Sequence, residues 1–221
     1  MKRLIIIVEG DTEEEFVNSI LRPYFYSKGF YQIDCFKIKH SKGGMSKYRH
    51  LKKDILNIIY ENNVVVSTLI DFYALPTDFP KFEDSKQIQN KSDRITFLEN
   101  AIKKEVEESQ NANFPNLIPY IQQHEFEALI FSSIKGIEEL FEKSEANFKE
   151  IEKIIQAYPN PEDINDNPNT APSKRLIQNI KGYNKVIDGV SIIEEIGLPE
   201  ILNKCSRFRN WIEILEDALG E

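Results

Sequence analysis

The fold is indicated first by residues 3–13, whose sequence is RLIIIVEGDTE. Residues 3–8 are predicted to form a strand buried on both faces of a parallel sheet, because the run 4–8 is apolar, uninterrupted and mostly β-branched. Glu9 and Gly10 end this strand, and a helix follows from Asp11, with acidic residues in its first turn as the helix dipole favours. The stretch therefore predicts the first strand–helix unit of an α/β domain.

The alternation of strands and helices continues through the N-terminal part of the chain. Hydrophobic patterns predict strands over 31–39, 64–70 and 117–121, and helices over 46–60, 92–108 and from 125 to 131. This order is typical of a small parallel sheet with crossover helices. From residue 134 onward the pattern is helical, with a loop at 160–172. We predict an α/β core over residues 1–132 and a helical C-terminal appendage over 133–221.

Composition excludes several classes of protein. Hydrophobic residues make up 41% of the 221, which is enough for a packed core. Two cysteines and three histidines exclude a disulfide framework and a histidine-rich metal centre. The net charge of −8 excludes a protein that coats nucleic acid in general. No apolar run is long enough for a membrane span or a signal peptide, so we expect no membrane contact and a cytoplasmic location.

Acidic side chains lie at or just after the ends of predicted strands. Glu9 and Asp71 each follow a buried strand, and Glu125 and Glu127 follow the strand over 117–121. The carboxyl ends of parallel strands share one edge, so these acids should converge there. Clustered carboxylates repel one another unless a cation neutralises them, and oxygen ligands favour Mg²⁺ or Mn²⁺. The sequence therefore predicts a divalent metal site at this edge.

Each acid also has a simpler explanation. Glu13, Glu14 and Glu15 can merely complement the dipole of the first helix, and we prefer this explanation for the last two. Asp71 can be a turn residue, and Asp78, Glu125 and Glu127 are equally compatible with metal binding and with ordinary surface roles.

Two basic segments are candidates for phosphate binding. Residues 35–53 contain seven Lys or Arg and no acid, and the candidate residues there are Lys39, Lys42, Gly43, Gly44 and Lys47. A solvated helix face is the alternative. In the second segment, Lys174 and Arg175 fall in the first turn of a predicted helix, where the dipole disfavours cations. They predict an anion or an acidic cluster nearby, and an ordinary surface pair is the alternative.

The chain resembles an uncharacterised Toprim-like family, often encoded beside an AAA/ABC-type ATPase, within the superfamily that includes OLD-type nucleases. The residues that carry the resemblance are 8–13, Gly43-Gly44, 71–80, 124–129 and 172–175. It implies Glu9 as the Toprim glutamate, Asp71 as the first residue of an Asp-x-Asp pair and Glu13 as the additional acid of OLD-type nucleases. Tyr73 stands where the second aspartate of the pair is expected, and Asp78 or Glu127 can replace it.

Together these features predict a Mg²⁺- or Mn²⁺-dependent nuclease that cleaves DNA or RNA. Its predicted catalytic residues are Glu9, Asp71 and Lys174. The resemblance implies an ATPase partner and a role in phage defence or DNA processing. A non-catalytic Toprim-like module that regulates the ATPase is the alternative. A glycosidase fits less well, because the chain has one tryptophan and no aromatic sugar-binding platform.

Overall fold

The computed structural model describes residues 2–39, 45–73, 75–164, 167 and 169–220. Its contacts divide the chain into two compact units. Unit 1 comprises Met1–Gln122 with Trp211–Glu221, and unit 2 comprises Gln123–Asn210. The domain division predicted from the sequence, at residue 132, stays a prediction.

Most of unit 1 alternates strands and helices. Its elements are β1 (Arg3–Val8), α1 (Asp11–Phe16), a π-helical segment (Val17–Leu21), α2 (Arg22–Ser27), β2 (Ile33–Lys37), α3 (Tyr48–Ile58), β3 (Val64–Asp71), α4 (Phe82–Ser85), α5 (Lys91–Gln110), β4 (Leu117–Ile118) and β5 (Ile121–Gln122). The predicted α/β class, a parallel sheet flanked by helices with helices at the C-terminal end, is confirmed.

Unit 2 is helical over the residues that the structure describes. Its elements are a 3₁₀ segment (Phe126–Ser132), α6 (Lys135–Leu140), α7 (Phe148–Ala157), a 3₁₀ turn (Pro161–Asp163), α8 (Pro172–Asn179), α9 (Lys185–Ile196) and α10 (Leu198–Lys204). The last helix, α11 (Ser206–Gly220), begins in unit 2 and continues in unit 1. None of the described helices is both long enough and apolar enough to span a bilayer.

The sheet of unit 1 is parallel, in the order β2-β1-β3-β4, and β5 also pairs with β3. Val8 at the end of β1 is in register with Lys37 of β2 and Leu69 of β3. Asp71 at the end of β3 is in register with Gln122 of β5. The carboxyl ends of these strands therefore share one edge, where Glu9 follows β1.

Both faces of β1 are covered, as the continuous apolar run predicts. Ile5 and Ile7 belong to a cluster that includes Leu51 and Ile55 of α3. Leu4, Ile6 and Val8, which alternate with them, are also buried. Glu9 is thus the first residue after a run that is buried on both sides.

The single tryptophan, Trp211, lies in the part of α11 that belongs to unit 1. Its indole Nε1 donates to Ser67 Oγ of β3 at 2.9 Å, and its ring stacks on Tyr120 at 4.4 Å between centroids. The side chain is buried, so its fluorescence reports on unfolding of unit 1.

Gly136 allows helix α6 to pack closely on α9 in unit 2. A Cβ atom at this position would lie 2.2 Å from the backbone oxygen of Ile192. Replacing Gly136 with alanine is therefore expected to destabilise the protein by about 2 kcal/mol. Thermal unfolding followed by circular dichroism measures this effect. Gly220→Ala is the control, because no atom lies within 4 Å of the corresponding Cβ, and equal melting temperatures for both variants would contradict the prediction.

Candidate functional site

Glu9 lies at the carboxyl edge of the sheet, where its carboxylate joins two segments of unit 1. Oε2 accepts a hydrogen bond from the backbone N–H of Asp71, and Oε1 accepts one from the N–H of Met45, each at 3.1 Å. The parallel register of β1 and β3 produces this arrangement, because it brings the residue after Val8 beside the end of β3. The structure thus brings Glu9 against the backbone of Asp71.

Glu13 is the next acid at this edge. It lies in the first turn of α1, and only 4% of it is exposed. A Cβ atom at Gly10 would lie 3.1 Å from Glu13 Oε2, so the carboxylate folds back over the glycine that follows Glu9. The absence of a side chain at Gly10 thus leaves room for Glu13 beside the end of β1.

Glu14 and Glu15 lie in the first turns of the same run of helix and have different partners. Lys37 contacts Glu14 at 3.2 Å and Asp11 at 2.5 Å. Glu15 accepts a hydrogen bond from Ser19 Oγ at 2.5 Å within the same run of helix.

Asp78 has a structural role that the sequence did not reveal. Its Oδ1 accepts a hydrogen bond from the backbone N–H of Tyr48 at 3.1 Å, and so caps the first turn of α3. Tyr73, which occupies the position expected for a second aspartate, is 46% exposed. Asp71 remains the acid whose backbone contacts Glu9 directly.

The acids of unit 1 retain capacity for a cation. Each carboxylate oxygen has two lone pairs, so Glu9 can accept both N–H bonds and still offer one lone pair per oxygen to a metal ion. Over the residues that the structure describes, no three His, Cys, Asp or Glu side chains are already grouped as a metal site. The residues that could hold a metal in unit 1 are Glu9, Glu13 and Asp71.

The basic segment of unit 1 is only partly available for phosphate. Lys42, Gly43 and Gly44 lie outside the described residues. Lys39 and Lys47 are exposed. Lys37 is paired with acids of α1, and Lys52 with Glu105 at 2.5 Å. The predicted phosphate-binding roles of Lys39 and Lys47 stay predictions.

Glu125 binds the start of α8, the helix that carries Lys174 and Arg175. Its carboxylate accepts hydrogen bonds from the backbone N–H of Ser173 at 3.0 Å and from Ser173 Oγ at 3.1 Å, at the start of α8. Arg175 Nε donates to the carbonyl of Thr170 at 2.7 Å, whereas Lys174 is exposed. Lys174 is thus the better placed of the two cations to reach a ligand.

Glu127 is completely buried in unit 2, with 0% of its surface exposed. Its carboxylate forms an ion pair with Lys185, whose Nζ lies 3.1 Å from Oε2. Burial raises the pKa of the Glu127 carboxyl, and the nearby Glu125 acts in the same direction, whereas Lys185 lowers it. The sequence analysis named Glu127 as a candidate acid but gave it no partner.

Comparison with protein families gives one match. The model of a family described as a domain of unknown function, DUF4276, matches residues 8–216. The chain belongs to this family. Neither the curated proteins nor the solved structures gave a match. The matched residues include the candidate acids of both units.

Within the region that the family model matches, Glu162 is a buried acid that sequence reasoning missed. Its carboxylate accepts the backbone N–H groups of Arg207 and Phe208 at 2.8 and 3.0 Å, at the start of α11. Burial raises the pKa of Glu162, and the two N–H donors only partly offset this. Glu162 lies in a loop rich in Pro, Asn and Asp, and such a loop has no hydrophobic periodicity from which burial could be predicted.

Replacing Glu162 with glutamine is expected to change stability in a pH-dependent way. Because the pKa is raised in the folded protein, the carboxyl contributes stability below its unfolded pKa and loses it as pH rises through the folded pKa. The melting temperature of Glu162→Gln relative to wild type should therefore rise between about pH 4 and pH 7. Glu152→Gln, at an exposed position of α7, is the control. A relative melting temperature that falls over this range would show that the N–H donors outweigh burial.

Proposed function

We propose that the protein is a Mg²⁺- or Mn²⁺-dependent nuclease of the Toprim type. The observation that carries the proposal is the pair of hydrogen bonds from Met45 and Asp71 to the Glu9 carboxylate. They hold an acid at the carboxyl edge of a parallel sheet, beside the end of a second strand. The resemblance of residues 8–13 and 71–80 to Toprim segments supports metal-dependent phosphodiester cleavage as the reaction at this edge.

Glu9, Glu13 and Asp71 are the residues that would hold the metal in unit 1. Bound Mg²⁺ or Mn²⁺ would activate a water and stabilise the leaving oxygen of a phosphodiester. Glu9 is oriented by its two N–H donors, and Gly10 leaves room for Glu13 beside it. Hydrogen bonds of this kind keep a ligating carboxylate in position and tune its basicity. The roles of Glu125, Glu127, Lys174 and Arg175 in the same reaction stay predictions.

Nucleic acid and an AAA/ABC-type ATPase are the proposed partners, and phage defence or DNA processing is the proposed context. The net charge of −8 supports a partner that supplies positive surface, because nucleic-acid binding depends strongly on cationic contacts. Lys39, Lys47 and Lys174 are exposed and can add local contacts to phosphate.

The test is cleavage of plasmid DNA and of RNA by the purified protein with Mn²⁺ or Mg²⁺. Each substrate is assayed with and without an AAA/ABC-type ATPase of the kind that the resemblance implies, and with EDTA as the metal-free control. We expect metal-dependent cleavage that is lost in Glu9→Gln. Cleavage by the wild type and the variant at equal rates would contradict the proposed role of the sheet edge.

A second candidate is a non-catalytic module that binds and regulates the ATPase. The exposed Tyr73, at the position where the resemblance leads us to expect an aspartate, favours it. Calorimetry distinguishes the two functions: the regulatory module binds the ATPase tightly but takes up no Mn²⁺ at Glu9, whereas the nuclease binds Mn²⁺ in wild type and less in Glu9→Gln.

A further inference from the structure

Arg94 of unit 1 is held against two aromatic rings. It lies near the start of α5, and its guanidinium carbon is 5.0 Å from the centroid of the Phe72 ring and 6.0 Å from that of Phe82. Stacking on aromatic faces restricts the planar guanidinium group. Phe72 directly follows β3 and Phe82 begins α4, so two separate segments fix the position of Arg94.

A hydrogen bond also fixes the orientation of the guanidinium group. Nε of Arg94 donates to Oγ of Ser85 at 3.1 Å, and this hydroxyl donates to the carbonyl of Phe82 at 2.6 Å. Ser85 is completely buried, so its hydroxyl has little freedom to turn away. Arginine has five N–H donors, and this contact uses one of them. The other four belong to the two terminal nitrogens, which form the planar fork that recognises carboxylate and phosphate groups.

Within the part of the chain that the structure describes, no carboxylate forms an ion pair with Arg94. Two acids of α4 have other partners, since Glu83 pairs with Lys86 and Asp84 with Lys81. Arg94 is only partly exposed, and a partly buried cation without a counter-ion costs free energy. An arginine that is oriented by three contacts and has no acidic partner favours binding of an external anion.

Arg94 lies on the same side of the sheet as Glu9. Helix α5 connects the parallel strands β3 and β4, so it starts at the carboxyl edge and returns toward the amino edge. Phe72 belongs to the buried cluster that includes Ile7 of β1, and side chains alternate along a strand, so Glu9 follows on the same face. Met45, whose N–H binds Glu9, is part of this cluster as well. The arginine and the glutamate therefore share one edge and one face.

We infer that Arg94 binds a phosphate group of the nucleic acid at this edge. The inference rests on the proposed function and names a cation that the substrate would contact. The two terminal nitrogens of the guanidinium group can donate side by side to two oxygens of one phosphate. The chain has a net charge of −8, so a positioned arginine would supply local positive charge that phosphate binding requires.

The main rival explanation is a purely structural arginine that links α4 to α5. Its loss would lower the stability of unit 1, but binding of nucleic acid and its dependence on salt would not change. A phosphate contact, by contrast, releases a counterion when it forms, so its loss lowers the dependence of affinity on salt. The two explanations therefore differ in the salt dependence of binding.

The experiment measures binding of fluorescein-labelled single-stranded DNA and RNA to the full chain by fluorescence anisotropy. EDTA is present, so that no metal-dependent cleavage occurs, and the salt concentration is varied. Arg94→Gln should weaken binding about tenfold and lower the slope of log Kd against log salt by about one. Arg94→Lys, which keeps the charge but not the fork, should weaken binding about fivefold. Lys104→Gln is the control, because it removes a 74% exposed charge from the same helix, and it should change Kd by less than about twofold.

Equal affinity and equal salt slope in Arg94→Gln and Lys104→Gln would overturn the inference. Wild-type affinity in Arg94→Lys, or no binding of either oligonucleotide by the wild type, would overturn it too. Trp211 fluorescence confirms that each variant is folded, and Arg94→Lys, which retains the charge and much of the aliphatic stem, decides the question where Arg94→Gln unfolds.

Cleavage assays of wild type against Glu9→Gln test the proposed function separately. A protein that binds nucleic acid through Arg94 but cleaves none with Mn²⁺ would support the inference and contradict the nuclease. A metal-dependent nuclease whose affinity is the same in Arg94→Gln would do the reverse.

Discussion

Replacing Glu9 with glutamine is expected to slow metal-dependent cleavage by about a thousandfold, which corresponds to about 4 kcal/mol of transition-state stabilisation. Glutamine keeps the length of the side chain but removes the negative charge that holds the metal. It also offers one acceptor oxygen in place of two, so the N–H of Met45 or of Asp71 loses its partner. The cleavage rate at saturating Mn²⁺ measures the catalytic effect.

Stability must be measured on the same variant, because loss of one hydrogen bond costs about 1 kcal/mol. Urea unfolding followed by Trp211 fluorescence gives this value for unit 1. Glu15→Gln is the matched control: it removes an exposed acid from the same run of helix, and that acid bonds only locally, to Ser19. We expect the control to cleave at the wild-type rate. A folded Glu9→Gln variant that cleaves as fast as the control would exclude Glu9 as a metal ligand.

Replacing Asp71 with asparagine is expected to slow cleavage by about a hundredfold, whereas Asp78→Asn should slow it by less than about threefold. The difference follows from where the two residues lie. Asp71 ends β3, and its N–H contacts the Glu9 carboxylate. Asp78 is exposed and caps helix α3 through the N–H of Tyr48. Its variant should also keep most of its stability, because asparagine retains an acceptor oxygen for this N–H.

Paired measurements of rate and unfolding free energy on both variants decide which aspartate acts with Glu9. The reverse pattern, with Asp78→Asn inactive and Asp71→Asn active, would assign the second acid to Asp78. If both variants cleave at the wild-type rate, neither aspartate is part of the catalytic site.

The central strands were predictable because their burial leaves a clear signature. The predicted strand over residues 3–8 matches β1, and β3 extends one residue beyond its prediction, to Asp71. Shorter elements gave no such signal. Helix α4 has only four residues within a loop that contains Pro76 and Pro80. The segment Phe126–Ser132 forms a 3₁₀ helix whose residues are all buried, and such a segment has no polar face to define its period.

In the candidate site, too, some contacts could be predicted from the sequence and others could not. The proximity of Glu9 and Asp71 follows from the rule that parallel strands end at one edge. The pairing of Lys37 with Asp11 and Glu14, and that of Lys185 with Glu127, does not follow from any local pattern. Such pairs depend on how distant segments pack, and helical spacing along the chain does not encode that. The anion expected near Lys174 and Arg175 stays a prediction; the contact that the structure gives for Glu125 at the start of α8 is with Ser173.

Unit 1 is assembled from both ends of the described chain, since Trp211 inserts its indole between Ser67 and Tyr120. During synthesis, β1 and β3 leave the ribosome long before this indole is made. The contacts of this indole with Ser67 and Tyr120 therefore form only after residues 123–210 have been made. A nascent chain halted before residue 211 should leave Ser67 without its indole partner and expose this part of the sheet to proteases and chaperones.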